Sequence, residues 1–490
     1  MAVYGDWVDA LGERIGAPGA ALRLLISLLM AYPMAFFHRK FMYGKYHNLQ
    51  HILFILCGSY IGYFNYGWQL MHAYVCILIQ YVVVWVSRGT LFSVVFAFVF
   101  QMGYLLAEYY LTESEKYDIK WTIPHCVLTL RLIGQAFDVY DGHRDFDDLS
   151  KDQKQQALKT MPSLLASAAH IFYPGSFMIG PQYPMKRYLD FVEGKFSENG
   201  KPFDSIGPAM KRLALGLFYV GIFQIGNIYV NSELLFSSTF KNLNFIMKML
   251  VVGIYGKIVL YKYVSCWIVA EGSCIYSGIS YNGKNDKGVI QWTGCENIDI
   301  YLFEKSYKFG HMVGSFNKCT NTWVAQNVYK RLKFLGNRQI SQTAALVFLA
   351  VWHGLHSGYY VCFFMEFLIM NAEKQFESII TKNSALMRWH NSTIGFWINV
   401  VILKTFVMCY FGFCMVPFTL LKYRQWGPIY KDLYYSGLLI FGAFPAYAPI
   451  IKWLVKDGGS KPPRRTEGGL ENGSGPSNTI PQEKASVKSE

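Results

Sequence analysis

The chain has 490 residues, of which 52% are hydrophobic, 17% aromatic and only 16% charged. Soluble domains carry about 25% charged residues; here the apolar residues come in long blocks and the mean hydropathy is +0.20, which excludes a soluble fold. The formal charge is +14, of which +1 lies from Lys456 onward, so the body of the chain suits anionic partners such as lipid headgroups or a phosphorylated cosubstrate, and nucleic acid is not expected.

A bilayer core of about 30 Å needs roughly 20 apolar residues in a helix. In chain order, the apolar runs are Ala21–Phe37, His51–Leu70, Ala73–Val86, Leu91–Leu111, Ile123–Phe137, Leu164–Ile179, Leu213–Val230, Phe245–Tyr261, Tyr263–Ile279, Ala344–Met370, Thr393–Leu421 and Leu433–Val455. Several are too short to span alone, so about 9 to 12 spans are expected, with re-entrant or interfacial helices for the rest. Lipid leaves no water for unpaired backbone, so whatever spans must be helical. The fold class expected is an all-α polytopic bundle. Residues 1–20 form an N-terminal cytosolic or interfacial segment, 21–455 the membrane domain, and 456–490 a disordered tail rich in Gly, Ser, Pro, Lys and Glu. The first twenty residues carry Asp6, Asp9 and Glu13 and lack a cleavage pattern. Ala21–Phe37 is therefore expected to act as an uncleaved anchor. The intervening stretches Val139–Thr160, Tyr183–Pro208 and Ser280–Glu304 are polar, and Tyr183–Pro208 reads as a surface loop. Asn327–Asn337 holds Lys330, Arg331 and Lys333, which the positive-inside rule puts on the cytosolic face. The ten Cys show no CxxC pair and no zinc spacing, so neither a disulfide framework nor a metal centre is expected.

Within Ala344–Met370 stand Trp352, His353, Gly354, His356 and Gly358. A titratable ring in a spanning run is a functional candidate by default. Nine residues from Ala344 put His353 about 14 Å into the run, near its middle. If the helix is continuous, His353 and His356 share a face. A dry site disfavours imidazolium, and neutral imidazole is the form a general base needs. The competing reading is a hydrogen-bonded histidine that only packs the bundle. Upstream, Asn317 lies in Phe316–Trp323 (FNKCTNTW). An Asn there is usually a turn or cap residue, but an amide can also donate to a thioester oxygen as it gains charge. His143 and Asp148 make a His-x4-Asp string in an acid-rich loop and read as solvated residues. Asn391-Ser392-Thr393 has the form of a glycosylation acceptor but abuts an apolar run.

The strings VWHGLHSG (Val351–Gly358) and FNKCTNTWVAQNVYKRLKFLGN (Phe316–Asn337) resemble the signature of the membrane-bound O-acyltransferase family. YDIKWTIPHCVLTLRLIG (Tyr117–Gly134), FMIGPQYPM (Phe177–Met185) and GKIVLYKYVSCWIVAEG (Gly256–Gly272) are similar to its lysophosphatidylcholine acyltransferase branch. The resemblance implies an internal tunnel in the bundle. It also implies an embedded catalytic His paired with an upstream Asn, here His353 and Asn317, thirty-six residues apart. His356, Trp352 and Trp323 are supporting candidates, and Lys330, Arg331 and Lys333 candidate contacts for CoA phosphates or headgroups. The reaction implied is transfer of a fatty acyl chain, preferably polyunsaturated, from acyl-CoA to the sn-2 hydroxyl of lysophosphatidylcholine, and also of lysophosphatidylethanolamine or lysophosphatidylserine. Acyl-CoA is then a cosubstrate, and no cofactor or metal is needed. The family also implies the endoplasmic reticulum, although the chain ends SVKSE without a dilysine pair. Another acceptor (a sterol, diacylglycerol or a protein) and a transporter using His353 as a relay stay open, as does the oligomeric state, a homodimer included.

Overall fold

The computed structural model describes residues 6–113, 119–198 and 200–455. The tail read as disordered, 456–490, lies outside the described residues. The chain folds as an all-α polytopic bundle; the short hairpin Ser197–Glu198/Lys201–Pro202 is the only sheet among the described residues.

Five stretches are long and apolar enough to cross a membrane: Gly19–Phe41, His47–Val86, Leu91–Leu111, Ile206–Phe236 and Thr393–Leu420. A bent pair, Ser436–Gly442 and Phe444–Leu454, meets at 60° and makes a sixth. The count is below the 9 to 12 expected: the runs His51–Leu70 and Ala73–Val86 fall in one stretch, and two other long helices carry charge along their length. Phe245–Ser277 holds Lys248, Lys257, Lys262 and Glu271, and Ser357–Ile380 holds Glu366, Glu373, Lys374 and Glu377. The spanning stretches leave Phe92, Val99, Ile225, Ile228, Trp397 and Ile402 exposed, the surface a lipid environment accommodates.

Phe245–Ser277 is the axis of the bundle, packed between Ile206–Tyr229 on one side and Thr393–Leu420 on the other. Two runs were expected here, parted at Lys262; the helix continues through it, from the Asn244 cap, whose side chain accepts from the Met247 N–H, to Gly278 at φ 102°. The Thr393–Leu420 helix crosses so closely that a Cβ on Gly256 would lie 2.4 Å from the Gly412 Cα. Small residues at a crossing let backbones approach, the main packing device where lipid removes the hydrophobic drive.

Two further expectations change. Leu164–Ile179 is helical only over Leu164–Ile171. The irregular backbone that follows is buried, and Arg131 satisfies it by donating to the carbonyls of His170 (2.8 Å), Ile171 (3.2 Å), Ser176 (3.2 Å) and Pro181 (3.1 Å). Non-helical backbone survives at such depth only inside protein. Tyr183–Pro208, read as a surface loop, contains the helix Met185–Val192, whose Met185, Tyr188, Phe191 and Val192 are core residues. Its charges, Lys186, Arg187 and Asp190, lie on the other face and hid the apolar one.

Candidate active site

The Ala344–Met370 run is broken. One helix spans Arg338–His353 and the next begins at Ser357. Gly354 turns the chain at φ 134°, ψ −171°, a conformation side chains resist. His353 is thus the last residue of its helix and His356 the cap of the next, so the two do not share a helical face. The break is locked from outside: a Cβ on Gly358 would lie 1.9 Å from the Pro417 carbonyl oxygen, and the Gly358 N–H donates to the Leu421 carbonyl at 2.8 Å. Trp352 pins the helix end, its Nε1 donating to the Cys126 carbonyl (3.0 Å) and its own carbonyl accepting from the Tyr109 hydroxyl (3.1 Å).

His353 sits in a box of rings: Trp352 at 4.6 Å, Phe418 at 5.1 Å, Phe363 at 5.4 Å and Tyr359 at 5.6 Å between centroids. Among the described residues its ring nitrogens have no hydrogen-bond partner, which separates it from the packing histidines. His38 bonds to Gln50 (2.7 Å), His51 to the Tyr188 hydroxyl (2.8 Å), His170 to the Tyr183 carbonyl (3.2 Å), and His125 to Glu108. Each of these has at least one ring nitrogen hydrogen-bonded, whereas His353 is held by rings alone.

Asn317 adopts left-handed φ 48°, ψ 43° at the cap of Lys318–Val324, yet its side chain makes no cap bond. Asn tolerates that conformation. The turn is built by a buried relay instead. Glu271 accepts from the backbone N–H of Asn297 (2.7 Å) and Ile298 (3.1 Å) and pairs with Arg212, whose Nε lies 2.7 Å from it. Asn297 in turn accepts from the Lys318 N–H (2.9 Å) with its carbonyl and from the Cys319 N–H (3.0 Å) with its side chain. Sequence reading missed Glu271 and Asn297; a Glu inside an apolar run was the available signal. Between the Asn317 turn and His353 runs a file of rings: Phe316–Trp267 4.7 Å, Trp267–Tyr263 6.2 Å, Tyr263–Phe418 6.5 Å, and Phe418–His353.

Beside the Lys318–Val324 helix lies a cavity of about 320 Å³, with Arg131, His170, Gln182, Lys318 and Trp323 among its lining residues. Arg131 Nε, His170 Nδ1, Gln182 Oε1 and Trp323 Nε1 are buried there without a partner among the described residues. Four unpaired polar atoms on residues that line one cavity mark this region, since native interiors leave few such groups orphaned.

The basic stretch is largely committed to acids. Arg331 grips the buried Asp141 with two bonds (2.7 and 2.5 Å) and stacks 4.4 Å over Phe137, while Lys330 pairs with Asp152. Lys333 is exposed. His143 bonds its own helix at the Val139 carbonyl (2.8 Å), and Asp148 is exposed, as expected of solvated residues.

The sequence model of the membrane-bound O-acyltransferase (MBOAT) family matches residues 106–419, which include Asn317 and His353. The chain is 41% identical to human lysophospholipid acyltransferase 5 over 435 residues, 89% of each chain. It is 40% identical to the Drosophila melanogaster protein of that name over 450 residues, 90% of each. It is 26% identical to a lysophospholipid acyltransferase of Saccharomyces cerevisiae over 409 residues, 75% of this chain and 64% of the relative. The chain belongs to the membrane-bound O-acyltransferase family.

Proposed function

We infer that this protein is a lysophospholipid O-acyltransferase that moves a fatty acyl chain from acyl-CoA to the sn-2 hydroxyl of lysophosphatidylcholine, and also of lysophosphatidylethanolamine and lysophosphatidylserine. The observation that carries the mechanism is a histidine caged by rings with both nitrogens unengaged among the described residues, in a chain similar over about nine-tenths of its length to proteins of that name. Polyunsaturated chains are the favoured cargo, the endoplasmic reticulum membrane the place.

His353 takes the proton of the acceptor hydroxyl as that oxygen attacks the thioester carbonyl. The Asn317 amide N–H donates to the carbonyl oxygen as negative charge develops on it. When the carbon–sulfur bond breaks, the thiolate recovers the proton from His353. Phospholipid and free CoA are the products. The orphaned donors and acceptors of the 320 Å³ cavity suit the amide-bearing arm of CoA, with Trp323 as a donor and His356 and Trp352 framing the base. Lys330, Arg331 and Lys333 are the basic side chains proposed to meet the phosphates; of these Lys333 alone has no acidic partner among the described residues.

The test is an acceptor panel with one acyl-CoA and the purified protein, reading free thiol and new phospholipid together. Thiol release matched by phosphatidylcholine supports the reading. Transfer to a sterol, diacylglycerol or peptide in preference, or thiol release with no acylated product, overturns it. Asn317→Ala and Asn317→Asp should both lower turnover severely, because a carboxylate repels the developing oxyanion. A robustly active Asn317→Asp removes Asn317 from the mechanism.

A further inference from the structure

A mixed-charge cluster lies one ring away from His353, and its Glu113 and Lys422 take no part in the chemistry above. Lys422 Nζ is 2.8 Å from Glu113 Oε1, and His356 Nδ1 is 3.9 Å from the same oxygen. Tyr359 joins the cluster to the base, its ring 6.2 Å from His356 and 5.6 Å from His353. Glu113 and Lys422 are both partly open to solvent, at 46% and 28% side-chain exposure, so a ligand can reach them.

The backbone places Lys422 there under strain. Leu421, almost fully buried, has φ 61° and ψ −66°, and the Lys422 N–H donates to the Leu420 carbonyl at 2.7 Å. This is a γ-turn of the rare hand, unfavourable for a branched side chain. The same Leu421 carbonyl accepts from Gly358, so the turn that strains Leu421 also fixes the break after His353. Strain of this kind persists only where surrounding contacts enforce it, and it gathers at ligand clamps. The cluster also lies at the opposite end of the bundle from the Arg331–Asp141 pair. The Thr122–Gly142 helix, about 31 Å long, begins beside Glu108, where Trp121 Nε1 lies 3.3 Å from the Glu108 carboxylate, and ends at Asp141. The Leu91–Leu111 helix, which carries Glu108, ends just before Glu113.

We propose that Lys422, His356 and Glu113 form the headgroup subsite for a zwitterionic lysophospholipid acceptor. Lys422 and His356 face the phosphate and Glu113 faces the choline or ethanolamine nitrogen. In such a lipid only a few covalent bonds separate the sn-2 hydroxyl from the phosphate, and a few more the phosphate from the nitrogen. A base, then a cation beside an imidazole N–H, then a carboxylate is the order the ligand presents. Lys422 beside it holds the Glu113 carboxyl below the usual carboxylate range, so its charge is present throughout the neutral range. The subsite rests on the acyl-transfer reading, and it makes acceptor choice a matter of charge: a headgroup with a cationic nitrogen is favoured over one of net negative charge.

The experiment compares lysophosphatidylcholine with lysophosphatidylglycerol as acceptors for one acyl-CoA, in the wild type, Glu113→Gln and Glu113→Lys. The preference, as a ratio of kcat/KM, should fall roughly tenfold in Glu113→Gln, the low end for a contact with a charged group, and fall further in Glu113→Lys. The change should sit in the acceptor KM. Parallel loss on both acceptors, or an unaltered ratio in both variants, overturns the subsite. Equilibrium binding of a fluorescent lysophosphatidylcholine without acyl-CoA separates the two ideas. Headgroup-selective binding that depends on Glu113, with no turnover in the wild type, removes the acyl-transfer reading and keeps the subsite. Turnover with binding indifferent to Glu113 does the reverse.

Discussion

Asn297→Ala should uncouple activity from stability. Asn297 is 2% exposed, and its side-chain oxygen is the acceptor for the Cys319 N–H at 3.0 Å. Truncation leaves that N–H without its partner two residues from Asn317. An orphaned buried donor costs about 1–3 kcal/mol. Spread over a 490-residue chain, with unfolding entropy near 2.1 cal/mol/K per residue, each kcal/mol shifts Tm by only about 1 °C. The effect on catalysis should be far larger, because the peptide that sets the left-handed turn at Asn317 loses one of its two bonds to Asn297. A displacement of about 1 Å of a catalytic group lowers rate by roughly 10²-fold. The assay is kcat from thiol release, with Tm followed by intrinsic fluorescence in the same detergent. A kcat close to that of the wild type, or a loss of activity that only tracks a large fall in Tm, refutes the relay from Glu271 through Asn297 to Asn317.

Three other outcomes follow from the site. Arg331→Met leaves Asp141, 2% exposed, without its two-bond partner; breaking a buried pair costs about 3–5 kcal/mol, so this variant should lose several degrees of Tm, and an unshifted melting curve contradicts the pairing. Trp323→Phe keeps the stack on Phe348 (5.6 Å) but removes a buried, unpaired N–H beside the cavity; KM for acyl-CoA should rise by up to about tenfold, the weight of one hydrogen bond in a dry site, and an unchanged KM takes Trp323 out of the donor site. His143→Ala should retain transfer activity, because its ring is bonded to its own helix; inactivity with a native melting curve would restore the His-x4-Asp string as a catalytic motif.

What was legible in the chain is what apolar periodicity and length control. Leu91–Leu111 coincides with its helix, and the Thr393–Leu421 run ends one residue late. His353 was legible because an imidazole in an apolar run is conspicuous. What was not legible depends on tertiary partners. Nothing local announces that the chain breaks after His353, since Gly354 alone is compatible with a helix; the break is enforced by Gly358 packing on Pro417 and Leu421, more than fifty residues away. Lys262 looks like an interruption but sits inside a continuous helix. Lys330 and Arg331 look like a phosphate site by composition, and the end of the Thr122–Gly142 helix and the start of the Lys151–Gln156 helix bring acids to them. Tyr188 and Phe191 were hidden among the charges of an amphipathic helix that faces inward.

The most direct measurement is the turnover of purified His353→Ala with oleoyl-CoA and lysophosphatidylcholine, reading CoA thiol and phosphatidylcholine in one sample. Loss of a general base lowers rate by about 10²- to 10⁴-fold, so the account predicts turnover at or near background from a protein that inserts and melts like the wild type. Near-native transfer by that variant would contradict it.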